Sequence, residues 1–136
     1  MKNAIILCSG GLDSIITSYH VKKILKYDEL MILFFNYGQR NLNSERKYSK
    51  KCALNINAEF KEINIMELKK ISPSYLNSDK KFKGVERRDL KNSKKESAKW
   101  YVPFRNGIFI SYAIALAESF EIKERKKFDI FVGFKN

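Results

Sequence analysis

The stretch Ser9-Gly10-Gly11-Leu12-Asp13-Ser14 stands between an apolar run, Ala4-Ile5-Ile6-Leu7-Cys8, and a segment of helical character that begins near Asp13. The order is strand, glycine turn, helix. Two adjacent glycines reach positive φ without a Cβ penalty and let the backbone curl its N–H groups into a concavity, and the start of a helix adds unpaired donors and a positive dipole end. Such a turn attracts phosphate. Ser9 and Ser14 add hydroxyl donors, and Asp13 adds a carboxylate able to hold or orient a magnesium ion beside phosphate oxygens. No lysine follows, which excludes a Walker A loop, and no third spaced glycine follows, which excludes the dinucleotide-binding fingerprint. Gly-Gly alone also serves as a plain tight turn with Ser or Asp as a helix cap. The complete hexapeptide is far more specific.

It resembles the Ser-Gly-Gly-x-Asp-Ser signature of the N-type ATP pyrophosphatases, which cleave ATP between the α and β phosphates. The rest of the chain is consistent with a nucleotide-binding domain. Its 136 residues suit one domain, 1–136, and its 44% apolar and 13% aromatic content suits a globular core. There is no apolar run of eighteen residues to span a membrane, and the N-terminal apolar run is too short for a secretory signal, so a cytoplasmic location is expected. A net charge of +12, from 27 basic and 15 acidic residues, favours polyanionic partners such as nucleotides or RNA at low salt. Between Lys80 and Lys99 nine basic residues face three acidic ones, and the stretch 72–99 reads as a basic, solvated loop region. Cys8 and Cys52 form no Cys-x-x-Cys pair, and His20 is the sole histidine, so the sequence assembles no zinc site. Both cysteines read as small core residues.

In chain order, Ile5–Cys8 and Leu30–Phe35 are continuous apolar runs expected of strands covered on both faces. A helix is expected over 13–26, with Leu12, Ile16, Tyr19, Ile24 and Leu25 as its apolar positions. A second helix is expected over 43–54, capped by Asn43 or Ser44, with Tyr48, Cys52, Ala53 and Ile56 as its buried stripe. A third strand is read near Glu59–Ile65 despite imperfect alternation. The next strong pattern is Phe109, Tyr112, Ala113, Leu116, Ala117 and Phe120, a helix capped by Asn106. Ile108, Ile110 and Ile114 make its other side apolar too, so the helix is expected to be largely buried. Asp129–Gly133 reads as the last strand. The alternation predicts an α/β fold: a parallel, Rossmann-like sheet of about four strands with helices on both faces. The loops after strands one, two and four, the last being Phe134-Lys135-Asn136, then meet at the carboxyl edge, where such sheets bind ligands.

Four blocks taken together narrow the resemblance. Ser9-Gly10-Gly11-Leu12-Asp13-Ser14, Phe35-Asn36-Tyr37-Gly38-Gln39-Arg40, Val102-Pro103-Phe104-Arg105-Asn106 and Val132-Gly133 occur in the order and approximate spacing of the 7-cyano-7-deazaguanine synthases. That family serves queuosine and archaeosine precursor synthesis, and its chemistry implies an ATP-dependent carbon–nitrogen ligase. The carboxylate of 7-carboxy-7-deazaguanine becomes a nitrile with ammonia, through an adenylate and then an amide. The resemblance implies ATP and Mg2+ as cofactors, with Cys8, Ser9, Gly10, Gly11, Leu12, Asp13 and Ser14 around the nucleotide. Asp13 would hold magnesium, Arg105 would neutralise a phosphate or the substrate carboxylate, and Asn106 would bond to either ligand. Tyr37, Gln39 and Arg40 would line the neighbouring rim.

The departures are Asn41, where the family usually has histidine after Gln-Arg, and Phe104, where it usually has glycine. Family members also continue past the closing glycine with an acidic segment and a four-cysteine zinc site that this chain lacks, so it resembles a truncated or split synthase. A catalytically inactive nucleotide- or RNA-binding remnant and a tRNA-thiolating ATP pyrophosphatase stay open as other readings. The last strand, in a sheet ordered three-two-one-four, is an apolar edge. A homo-oligomer, or docking of a separate C-terminal fragment, is therefore expected.

Overall fold

The computed structural model describes residues 1–71 and 104–133. Among them lie four strands, β1 (Asn3–Leu7), β2 (Glu29–Asn36), β3 (Glu59–Asn64) and β4 (Phe128–Val132). They form one all-parallel sheet in the order β3-β2-β1-β4. The helices are α1 (Leu12–Lys23), α2 (Leu42–Asn55), the short α3 (Glu67–Ile71) and α4 (Arg105–Glu124). The architecture is the expected α/β, Rossmann-like one, and β4 lies at the sheet edge among the described strands. The expected loops at 72–99 and 134–136 lie outside the described residues.

The two central strands are apolar at nearly every position because both their faces are covered. On one face Ile5, Leu7, Met31, Leu33 and Phe35 pack with Ile63, with Leu68 of α3 and with Phe109 and Ala113 of α4. The Phe35 and Phe109 rings stack there with centroids 4.2 Å apart. On the other face Ala4, Ile6, Cys8, Leu30 and Ile32 pack with Val21 of α1 and with Ala53 and Ile56 at the end of α2. β3 serves both layers, since Ile63 lies with the first cluster and Phe60 beside the second, and this explains its irregular alternation.

Helix faces depart from the apolar pattern where close approach outweighs apolar area. The buried residues of α1 are Ser14, Ser18 and Val21, whereas Leu12, Ile16 and Ile24 are exposed. Small side chains let α1 come close to its neighbours: a Cβ on Gly133 would sit 2.8 Å from the Asp13 carbonyl oxygen. The Ser18 hydroxyl loses no hydrogen bond in this packing, since it donates to the Ser14 carbonyl at 2.8 Å. In α2, Tyr48 is half exposed and Ser49 takes the buried position, donating to the Cys8 carbonyl at 3.2 Å. The α2 cap position is Asn41, not Asn43 or Ser44.

In α4 only one side is buried among the described residues, with Phe109 and Ala113 inside and Tyr112 and Ile114 exposed, so the helix is not largely buried. Its cap position is Phe104, and Asn106 falls within the first turn instead of capping it. None of the described helices is long and apolar enough to cross a membrane.

Candidate active site

A cavity of about 470 Å³ opens at the carboxyl ends of β1 and β2 and beside Gly133, just past β4. The chain builds outward from β1 to β2 and β3 and then returns to place β4 on the other side of β1, which makes this the switch point where α/β sheets bind ligands. The volume suits a small-molecule site.

One wall is the Ser9–Ser14 turn. Gly10 has φ +80°, and a Cβ there would lie 3.0 Å from the Glu45 Cα and nearer still to its carbonyl oxygen. Glycine is thus required both by conformation and by the first turn of α2 beneath it. Buried Ser14 holds the turn closed: its Oγ accepts from the Ser9 N–H at 3.2 Å and donates to the Gly11 carbonyl at 3.1 Å. Gly11 occupies the cap position of α1 with no side-chain cap bond, and the first N–H groups of a helix have no intrahelical acceptors. Asp13, in that first turn, is exposed at the cavity wall.

The other wall is a network of side chains. The Gln39 amide is held at both ends: its Nε2 donates to the Phe35 carbonyl and to Glu45 Oε2, each at 2.9 Å, and its Oε1 accepts from the Tyr37 N–H at 2.9 Å. From α4, Arg105 reaches across, and its Nη1 donates to the Tyr37 hydroxyl at 3.0 Å with the guanidinium 5.6 Å from the ring centroid. Burial raises the Glu45 carboxyl above its ordinary range, opposed by the Gln39 bond and by the charge of Arg105. Burial also raises the Tyr37 hydroxyl, again against Arg105.

Cys8 and Cys52 are free and buried. The neighbouring Cys52 thiol lowers the pKa of Cys8 against the effect of burial, assisted by the Gly10 N–H and the Ser14 and Ser49 hydroxyls. Cys52 is correspondingly raised.

Cys8, Ser9, Gly11, Leu12, Asp13, Ser14, Tyr37, Gln39, Arg105 and Asn106 all line this one cavity. Gly10 shapes the turn from behind, and Arg40 is exposed and outside the lining. Glu45 was not foreseen as a site residue: as a helix first-turn acid it reads as ordinary dipole compensation. The one available clue is that it follows Gln39 at a distance that brings two polar side chains together across a turn.

Magnesium takes one or two protein carboxylates and fills its shell with phosphate oxygens and water, and exposed Asp13 beside the turn fits that demand. Zinc does not fit. No three His, Cys, Asp or Glu side chains cluster among the described residues, and both thiols are committed to the core.

Residues 3–136 match the family described as queuosine biosynthesis protein QueC. Among similar proteins, the 7-cyano-7-deazaguanine synthase of Methanococcus maripaludis strain C6 is 41% identical over 125 residues, covering 89% of this chain and 52% of that protein. The proteins of the same name from Methanoculleus marisnigri and Rickettsia felis are 34% and 35% identical, each covering 98% of this chain and 55% of the relative. The chain spans about half the length of these curated relatives. With a family match running through the glycine turn, the Tyr37–Gln39 rim and Arg105, the chain belongs to the queuosine biosynthesis protein QueC family.

Proposed function

We propose that the cavity binds ATP and 7-carboxy-7-deazaguanine together and supports the ATP-dependent conversion of that carboxylate, with ammonia, to 7-cyano-7-deazaguanine. The observation that carries this reading is the meeting of a phosphate-type turn and an arginine in the lining of one cavity, in a chain of the QueC family. A carboxylate oxygen is a poor leaving group. Transfer of AMP to it, with release of pyrophosphate, makes it a good one, and ammonia then displaces AMP to give the amide; a second adenylation, on the amide oxygen, lets that oxygen leave with AMP as the nitrogen loses its protons to give the nitrile.

Each wall has a part in this chemistry. The N–H groups at the start of α1 and the hydroxyl of Ser9 absorb charge that grows on the departing pyrophosphate, where preorganised donors contribute most, and Ser14 holds the turn that presents them. Asp13 would hold magnesium, which when bound neutralises phosphate charge and polarises the α-phosphorus. Arg105, steadied by Tyr37, pairs with the substrate carboxylate and directs an oxygen at the α-phosphorus, and Asn106 donates to either ligand. A tRNA-thiolating chemistry would need accessible reactive thiols, and Cys8 and Cys52 are each 2% exposed.

The test has two stages. Calorimetry should show magnesium–ATP binding in the wild type and a loss of at least about tenfold in Asp13→Ala, as expected for a removed charged contact. Pyrophosphate release should then require 7-carboxy-7-deazaguanine. ATP binding with no release in its presence, with ammonia supplied, defeats the synthase reading and leaves a nucleotide-binding protein.

A further inference from the structure

Besides Asp13, which is suited to magnesium, the cavity carries a second negative charge. Phosphates require cations and N–H donors, yet the Glu45 carboxylate lines the same space as the glycine turn. It is not a stray surface group. Gln39 is buried, and its amide spends every described bond on Phe35, Tyr37 and Glu45 Oε2, which fixes the carboxylate and leaves the amide unable to turn toward a ligand. No described residue donates to Glu45 Oε1. The half-buried carboxylate therefore keeps acceptor capacity for a ligand donor, since ionised carboxylates only accept.

The cavity therefore has two poles of opposite sign on one wall, Arg105 steadied by Tyr37 and Glu45 steadied by Gln39. Phe109, stacked on Phe35, adds a flat apolar surface to the lining. A planar heterocycle with a carboxylate on one side and adjacent N–H donors on another matches that arrangement. We propose that Glu45 is the specificity residue for the heterocycle: it accepts the N1–H and 2-amino donors of the 7-deazaguanine ring while Arg105 takes the 7-carboxylate. This rests on the function proposed above. It assigns Gln39 to positioning, through its bond to Glu45, and separates the heterocycle's determinants from those of ATP. A site built to satisfy a donor discriminates strongly against an analogue lacking it, because the buried acceptor is then left unpaired.

The experiment titrates wild type and Glu45→Gln with three ligands: magnesium–ATP, 7-carboxy-7-deazaguanine and the same heterocycle without its 2-amino group. Wild type should prefer the 2-amino compound by roughly 10- to 100-fold, the range for hydrogen bonds to a charged group. Glu45→Gln should lose most of that preference and bind ATP as before. Loss of ATP affinity in parallel overturns the proposal and assigns Glu45 to the nucleotide or its metal. Equal wild-type affinity for the two heterocycles also overturns it, and this arm does not depend on any variant folding. A wild type that binds 7-carboxy-7-deazaguanine with no change in Glu45→Gln defeats the proposal alone. A wild type that binds ATP but neither heterocycle defeats the functional reading and the proposal with it.

Discussion

The two walls of the cavity are made in opposite ways. The Ser9–Ser14 wall is continuous in sequence and consists of backbone groups, short hydroxyls and the Asp13 carboxylate, with shape held by Ser14 and by the contact of Gly10 with α2. The other wall is assembled from Tyr37, Gln39 and Glu45 around one turn and from Arg105, which lies 68 residues beyond Tyr37. Its working parts are charged side chains tied to buried partners. A backbone wall recognises a group common to every nucleotide, whereas a side-chain wall can be tuned to one heterocycle. Damage to the first should therefore reach the fold as well as all ligands, and damage to the second should reach one ligand.

The largest effect is expected at Gly10. Gly10→Ala puts a Cβ at φ +80° and drives it into the Glu45 backbone, which belongs to a helix and cannot swing aside. Left-handed strain and overpacking together should cost about 2–5 kcal/mol. The denaturation midpoint should fall accordingly, and binding of ATP and heterocycle should weaken together. A loss of stability under about 1 kcal/mol would mean that the turn yields easily and that the comparison between walls is wrong.

A smaller and more selective effect is expected at Tyr37. Tyr37→Phe keeps the ring beneath the guanidinium and removes the hydroxyl that accepts from Arg105 at 3.0 Å. Stability should drop by about 1 kcal/mol and heterocycle-dependent pyrophosphate release by roughly tenfold, with ATP affinity retained. Equal losses for ATP and for the heterocycle would show that Arg105 serves the phosphates, and the division of labour between the walls would fail.

The contrast also explains what could be read from the chain without a structure. The glycine turn and the two central strands were legible because local patterns determine them: continuous apolar runs for a strand covered twice, and paired glycines before a helix. The packing of α1 was not. Its buried face is Ser14, Ser18 and Val21, chosen for small volume where the helix comes close to the turn and to Gly133, and apolar periodicity points instead to the exposed Leu12 and Ile16. Glu45 was hidden for a related reason. Its importance comes from the Gln39 amide that holds it, a tertiary arrangement that leaves no periodic trace. Asn106 was misread as a cap because its residue type favours that position, whereas the chain enters α4 through a left-handed residue one place before Arg105.

That left-handed residue is Phe104, at φ 50° and ψ 24°, and it carries the smallest of the expected effects. Family resemblance places glycine at this position, and the positive φ supplies a physical reason. Phe104 is 72% exposed, and its ring lies over Gly107, where any Cβ would strike it. Replacing it by glycine relieves left-handed strain of about 1–2 kcal/mol. Against this stand the extra freedom of glycine in the unfolded chain, about 0.5–1 kcal/mol, and the loss of one exposed ring contact. Phe104→Gly should therefore be neutral or stabilising by up to about 1 kcal/mol, which raises the melting temperature by at most a few degrees. Phe104→Val should move the other way, because a β-branched residue tolerates positive φ least. The pair of variants also sharpens the comparison of the walls. Phe104 sets the entry of the chain into α4 immediately before Arg105, so the valine variant should impair heterocycle-dependent turnover while leaving ATP affinity alone. A glycine variant less stable than the wild type by more than about 1 kcal/mol would show that the ring's packing on Gly107 outweighs the backbone strain, and would make Phe104 a structural part of the Arg105 wall.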